Sequence, residues 1–194
     1  MEVLSRAVTD VFLRKKIIAE EEKEVYQFGV CIFLNEAMTF LLIFIFSALI
    51  WEVKDAILFL CTFCGMRIYC GGYHARKVSL CRIAMITTFI VVMIVSMLLS
   101  NASLKAVAVI EVVSFFVLLP IIPVKHPNKT MTKELARKGK RRGILLYYAF
   151  ALASFIALKS GCHHEAMMIV MSLCAVAVLA VIGTISNRKE MNGK

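Results

Sequence analysis

Six long apolar runs separated by short polar gaps make up most of the chain: residues 25–50, 56–70, 79–100, 104–122, 144–158 and 165–186. Most of them approach the ~20 residues a helix needs to cross the hydrocarbon core of a bilayer. The pattern predicts six transmembrane helices, of which the second and fifth are the short ones, tilted, kinked or partly re-entrant. The first 24 residues are different in kind. Leu4, Ala7, Val8, Val11 and Ile18 fall near helical spacing while Arg14, Lys15 and Lys16 cluster, which predicts an amphipathic helix lying along the inner interface. A solvated charged tail fits the same residues. Charges stand where a cleavable leader would have its apolar core, so the first span is expected to be a retained anchor. The fold class expected is an all-α integral membrane protein forming a single polytopic domain over residues 1–194. It comprises a cytoplasmic amphipathic segment (1–24), a six-helix bundle (25–186) and a cytoplasmic tail (187–194).

Composition agrees with that class: 60% of the 194 residues are hydrophobic and only three are proline. Charge adds an orientation. Three lysines, Lys54, Lys105 and Lys159, occupy the gaps on one side of the expected bundle, and the other 20 of the 23 Lys and Arg lie on the opposite side. The positive-inside rule then puts both termini in the cytoplasm. A net charge of +10 is accounted for by topology and calls for no nucleic-acid partner. Residues 125–142 hold eight cations against the single acid Glu134. Such a stretch fits contact with anionic lipid head groups, at roughly 1 kcal/mol per cation near the surface, or the docking of an acidic peptide. The prolines Pro120, Pro123 and Pro127 mark the end of the fourth helix.

Seven cysteines, an odd number, lie within the spans or near their ends, which argues against a disulfide framework. Cys31, Cys61, Cys64 and Cys174 read as small apolar residues in the bundle. Cys61 and Cys64 form a C-x2-C without a second pair, a weak redox or zinc signal. Cys162, His163 and His164 read as surface residues of a short outer loop with no acidic ligand nearby, and no metal or other cofactor is expected. Cys81 stands apart. It follows Ser79, a natural N-cap, where polar sequence gives way to the third apolar run. In the first turn of a helix the partial positive charge of the helix end favours thiolate over thiol, and Arg76, Lys77 and Arg82 add to that field.

His74 is the histidine nearest this thiol in sequence, and a Cys/His pair is the minimal apparatus for acyl transfer. Seven residues of straight helix would separate the two by ~10.5 Å, whereas proton transfer needs about 3 Å. The backbone between them must fold back, and Gly71 and Gly72 are where a tight return is easiest to make. On chemistry alone the same stretch also reads as an interfacial loop containing a chance His and Cys.

The run "RIYCGGYHARKVSLC", residues 67–81, resembles the accessory gene regulator B (AgrB) family of membrane peptidases. In that family an Arg, a Gly-containing turn, a His and a Cys seven residues beyond it lie on the cytoplasmic side of a polytopic protein of about this length. The resemblance implies a cysteine endopeptidase of the bacterial cell membrane. It would cleave the C-terminal tail from a small AgrD-like propeptide through a thioester acyl-enzyme and promote closure of the remainder to a thiolactone or lactone quorum-sensing peptide. By carry-over Cys81 is the nucleophile and His74 the general base and acid. Arg67 serves positioning or charge stabilisation, and Gly72, with Gly71 beside it, serves loop geometry. The implied partners are the propeptide and membrane lipids, anionic head groups included; a homodimer is compatible with so small a bundle. Two acids fall inside spans, Glu36 and Glu111, and both are expected to be buried and bonded to a neighbour. Glu36 is expected too deep to reach His74, and Asn35 is a weaker candidate for orienting it. A small transporter or channel subunit using the two acids, or a membrane thiol oxidoreductase using Cys61 and Cys64, are the competing readings.

Overall fold

The computed structural model describes residues 2–50, 52–71, 78–124 and 132–192, without the side chains of 78–79 and 188–192. The described residues form seven α-helices: α1 (Glu2–Arg14), α2 (Lys23–Ile50), α3 (Val53–Cys70), α4 (Val78–Leu98), α5 (Leu104–Leu118), α6 (Lys133–Lys159) and α7 (His163–Asn192). There is no strand among them. Each of the six apolar runs became one helix, α2 to α7.

The lengths depart from the sequence expectation in an informative way. Among the described residues, four segments are long and apolar enough to cross a bilayer: Glu20–Ile50, Leu80–Leu98, Lys133–Lys159 and His163–Asn187. The short helices are α3, with 18 residues, and α5, with 15. The fifth run is not short, because its helix starts far upstream of the apolar residues. Thr132 caps it, its hydroxyl accepting from the Leu135 N–H at 3.4 Å, and the basic stretch Lys133–Arg142, rich in Lys, Arg, Leu and Ala, continues as helix. The fourth run loses its end for the complementary reason. Helix α5 stops at Leu118 and Pro120 follows, where no N–H is available to extend it.

Helix α7 is the axis of the bundle, packed by α3, α4, α5 and α6. Its residues 166–173 are buried without interruption, among them Met167, Met168, Val170 and Leu173 at 0% exposure. Of the candidate spans among the described residues α7 is the one most covered by the protein itself, with Val178, Ile182 and Ile185 in its second half left exposed. The other helices bury one side only. Their outer faces carry large exposed apolar side chains, such as Phe28, Phe33 and Leu41 on α2, Val112 and Phe116 on α5, and Leu152, Phe155 and Ile156 on α6. Their inner faces hold small polar groups: Thr39, Ser47, Thr62, Ser114 and Ser154 are buried, as is Ser172 on α7. Apolar outside and small or hydroxylated inside is the distribution of helices packed in lipid, where close approach and interhelical hydrogen bonds replace a hydrophobic drive between helices. Several hydroxyls are satisfied by the preceding turn, as Thr39 by the Asn35 C=O at 2.8 Å and Ser172 by the Met168 C=O at 2.6 Å.

The N-terminal segment is helical, and α1 packs against α2. The face it buries is the small polar one, Ser5 and Thr9, while Val3, Leu4 and Val11 remain exposed. Lys23 at the start of α2 pairs with Asp10 at 3.0 Å.

Candidate functional site

One end of the bundle gathers the end of α3, the start of α4 and the start of α6. Helix α3 finishes in a glycine cap. Gly71 has φ +73°, and its N–H donates to the Arg67 C=O at 2.9 Å. The segment following α5 is stitched to the same point, the Val124 N–H donating to the Cys70 C=O at 2.9 Å. A Cβ on Gly71 would stand 3.3 Å from that of Val124. Helix α6 closes the other side. A Cβ on Gly143 would stand 3.5 Å from both Cys70 Sγ and Tyr69 Cβ, so a glycine there lets α6 lie close along α3. The basic start of α6 therefore borders the end of α3, with Glu134, Arg137, Lys138 and Arg141 along one exposed face.

Arg67 lies in the last turn of α3, half-buried, its guanidinium 5.6 Å from the centre of the Phe63 ring, within the range of a cation–π contact. Cys81 lies in the first turn of α4 and is half-buried. The helix begins at Val78, so Ser79 falls inside it rather than capping it from outside. His74 and Gly72 lie outside the described residues, so Arg67, Gly71 and Cys81 are the sequence-derived candidates whose positions are on view.

Cys81 and Arg82 flank the line along which α4 faces the bundle. Met85, Phe89, Val92 and Ser96 are buried, and positions 81 and 82 precede Met85 by four and three residues, the spacings that share a helical face. Arg82 reaches α2, where its Nη2 donates to the Asn35 side-chain oxygen. Asn35 is itself held, its amide donating to the Cys31 C=O at 2.8 Å. Whether Glu36 reaches His74 falls outside the described residues, but Asn35, one position before it, does meet the first turn of α4. Asn35 is twelve residues along α2, about 18 Å at 1.5 Å per residue, and the first turn of α4 sits at that same level. The Asn35–Arg82 link is what sequence reasoning misses: by sequence Asn35 is a candidate partner for His74 alone, and Arg82 one member of a general field.

The remaining cysteines are all free. Cys70, not the C-x2-C pair, is the buried one at 0% exposure, while Cys61 faces outward and Cys64 is half-buried. Glu111 is bonded as expected: the Ser154 hydroxyl donates to its carboxylate, and the Tyr147 hydroxyl donates to its backbone carbonyl oxygen at 2.7 Å. The opposite end of the bundle is more ordered than an idle outer loop. Asp55, 2% exposed, meets His164 Nε2 at 3.1 Å. Lys54 bridges Glu165 at 2.7 Å and Glu52 at 2.8 Å, and the hydrogen bonds to those carboxylates push its pKa well above the ordinary lysine range. His164 is thus not a bare surface residue, and an acidic ligand does lie beside it. No group of three or more His, Cys, Asp or Glu among the described residues is arranged to hold a metal.

A bundle of helices with apolar outer faces, four of them among the described residues long and apolar enough to cross a bilayer, defines a helical membrane protein. The chain belongs to the Accessory gene regulator B family, whose model matches residues 5–185. Among curated proteins it is similar to two from Clostridium perfringens that carry the provisional name AgrB-like, one in strain SM101 / Type A and one in strain 13 / Type A. Each is 24% identical over 159 residues, covering 77% of this chain and 74% of the relative. No solved structure matches. Membership places the protein in the accessory gene regulator quorum-sensing system, in which the family processes a propeptide of the AgrD type.

Proposed function

We propose that this protein is a cysteine endopeptidase of the cytoplasmic membrane that removes the C-terminal tail of an AgrD-like propeptide and hands the remainder on to ring closure. The observation that supports the reading best is the setting of Cys81: a half-buried thiol in the first turn of α4, on the inward side of that helix, in a protein matched by the AgrB model over residues 5–185.

The chemistry runs in two transfers. His74 takes the thiol proton as Cys81 sulfur bonds to the scissile carbonyl carbon, and the carbonyl π pair moves onto oxygen. When that pair returns, the C–N bond breaks and the imidazolium gives its proton to the departing amine. The tail leaves, and the peptide remains on Cys81 as a thioester. A thiol or hydroxyl within the peptide then attacks the thioester and closes a thiolactone or lactone, restoring the Cys81 thiol. A thioester and a thiolactone are close in energy, so loss of the tail must drive the sequence, and water must be kept from the acyl-enzyme. The surrounding apolar helices supply that exclusion. Arg67 positions the substrate or stabilises charge, and Gly71 with Gly72 turns the segment that carries His74 back towards the thiol. In this reading six helices span the membrane, α3 and α5 as short or tilted spans, with both termini and the site on the cytoplasmic side. The exposed apolar face of α1 and the cations of α6 rest on lipid, anionic head groups included, and two copies can associate through their outer faces.

The test is reconstitution of the full-length protein in proteoliposomes with a synthetic propeptide that carries an internal cysteine and an acidic tail. Mass spectrometry should find the released tail and a hydroxylamine-sensitive acyl adduct on Cys81, both lost in Cys81→Ala. Tail release that survives Cys81→Ala refutes the proposal. If it is lost instead on changing Cys61 and Cys64, the thiol oxidoreductase reading takes its place.

A further inference from the structure

Arg82 is an unusual cation. It is half-buried, one residue from the proposed nucleophile, and its partner among the described residues is a neutral amide, the side-chain oxygen of Asn35, rather than a carboxylate. Its charge is therefore held in place without being cancelled. Its Nε is buried and has no hydrogen-bond partner among the described residues. Buried donors are almost always paired, and one left unpaired costs free energy that some other use must justify. The groups on the helices packed against this part of α4 do not meet that donor either. On α2, Cys31 is engaged by Asn35. On α3, Arg67 lies over Phe63.

We infer that Arg82 is the oxyanion-holding residue of the site, its unpaired Nε–H edge receiving the scissile carbonyl oxygen as negative charge develops there, with Asn35 as the positioning residue that aims the guanidinium. The inference rests on the endopeptidase reading above. In it the carbonyl π pair that moves onto oxygen when sulfur attacks is met by a fixed cation, and is released when the C–N bond breaks and the proton passes to the amine. Three features fit the task together. Arg82 shares the inward side of α4 with Cys81, so substrate lying against the thiol also lies against the guanidinium. A donor already fixed by Asn35 needs no reorganisation at the moment of reaction, which is where such groups gain their effect. An amide in place of a carboxylate at position 35 keeps the guanidinium charge available to the transition state.

The experiment measures single-turnover tail release by proteoliposomes holding the full-length protein, with the same synthetic propeptide, for wild type, Arg82→Gln, Arg82→Lys, Asn35→Asp and Cys81→Ala. Loss of one oxyanion donor costs about 100-fold or more in the chemical step, so Arg82→Gln is expected to lower the rate at saturation by about that factor, with the half-saturating peptide concentration changed less than about threefold and Cys81 still fully alkylated by iodoacetamide. Asn35→Asp keeps Arg82 in place, indeed bonds it more tightly, but cancels its charge; it is expected to lose about tenfold or more in the same rate. A purely structural role for the pair predicts no loss in that variant. Arg82→Lys, which keeps the charge but not the forked geometry, falls between wild type and Arg82→Gln. The inference is overturned if Arg82→Gln releases tail within threefold of wild type, if its defect lies wholly in half-saturation, or if Asn35→Asp matches wild type. Should Arg82→Gln fail to fold, Asn35→Asp and Arg82→Lys decide the matter. Cys81→Ala separates the two levels: if it still releases tail the endopeptidase reading falls and this inference with it, whereas an inactive Cys81→Ala beside an unimpaired Arg82→Gln removes this inference alone.

Discussion

Replacing Gly71 by alanine should destabilise the protein, and the cost can be worked from the backbone. Gly71 closes α3 with φ +73° and ψ −153°, in the region that is essentially closed to residues with a side chain and costs of order 1–3 kcal/mol to hold. Position 71 also lacks room. The added Cβ would stand 3.3 Å from Val124 Cβ, and Val124 is fixed by its N–H bond to the Cys70 C=O at 2.9 Å. The neighbour can give way only by loosening the bond that joins the end of α3 to the segment after α5, so about 2 kcal/mol is expected, or roughly 4–8 °C in a protein of this size. Gly29→Ala is the internal control. It lies in the second turn of α2 with nothing within 4 Å of the added atom, and alanine there gains up to about 1 kcal/mol of helix propensity. Thermal unfolding of both variants in the same detergent micelle, followed by circular dichroism, gives the comparison. If Gly71→Ala is as stable as Gly29→Ala, the strain argument fails, and so does the claim that this turn is specified by its glycine.

Two further outcomes follow from the packing. Asp55→Ala removes the partner of His164 from a position only 2% exposed and should cost about 1–3 kcal/mol, with Asp55→Asn losing less because an amide oxygen can still accept; equal stability of wild type and Asp55→Ala in micelles would refute the role of the pair in joining α3 to α7. Single-cysteine variants should differ in maleimide labelling in detergent: Cys162 is exposed in the turn between α6 and α7 and labels fast, Cys70 is buried and labels only on unfolding. In intact cells a membrane-impermeant maleimide should reach Cys162 and not Cys81, and labelling of Cys81 from outside would reverse the proposed orientation.

Helix identity was legible because apolar run and helix coincide when lipid is the solvent: each run from 25–50 to 165–186 became a helix whose backbone groups are satisfied within the segment. Helix ends were legible where a residue forbids continuation, as at Pro120 and Gly71, and not where polarity alters while conformation does not. Lys133–Arg142 reads as loop by charge, yet its residues are good helix formers behind a threonine cap. Thr132 followed by Glu134 and Leu135 was the signal available. The burial pattern was illegible for a deeper reason. In a soluble helix the apolar stripe marks the inward face, but here both faces are apolar, and only the small hydroxylated residues, Thr39, Ser114, Ser154 and Ser172, distinguish inside from outside.

The candidate site divides along the same line. Cys81, His74 and the glycines stand out in the sequence because the nucleophile, base and turn proposed for them lie within fifteen residues. Contacts made across the fold leave no such local signature, since Asn35 and Arg82 are 47 positions apart, and Asp55 and His164 are 109 apart. What the sequence did hold was an anomaly at each of these positions, an amide, a guanidinium or a carboxylate on or beside an apolar run. Polar groups placed at membrane depth need a partner to offset their desolvation. Asp55 found a histidine and Glu111 a serine; Arg82 found a single amide and kept a buried donor unfilled. Of the three it is the one whose hydrogen-bonding is incomplete among the described residues, and it stands next to the cysteine on which the family resemblance converges. A bound substrate oxygen would complete it, and for that reason the chemistry of this end of the bundle is best sought between α2 and α4 rather than in the loop motif alone.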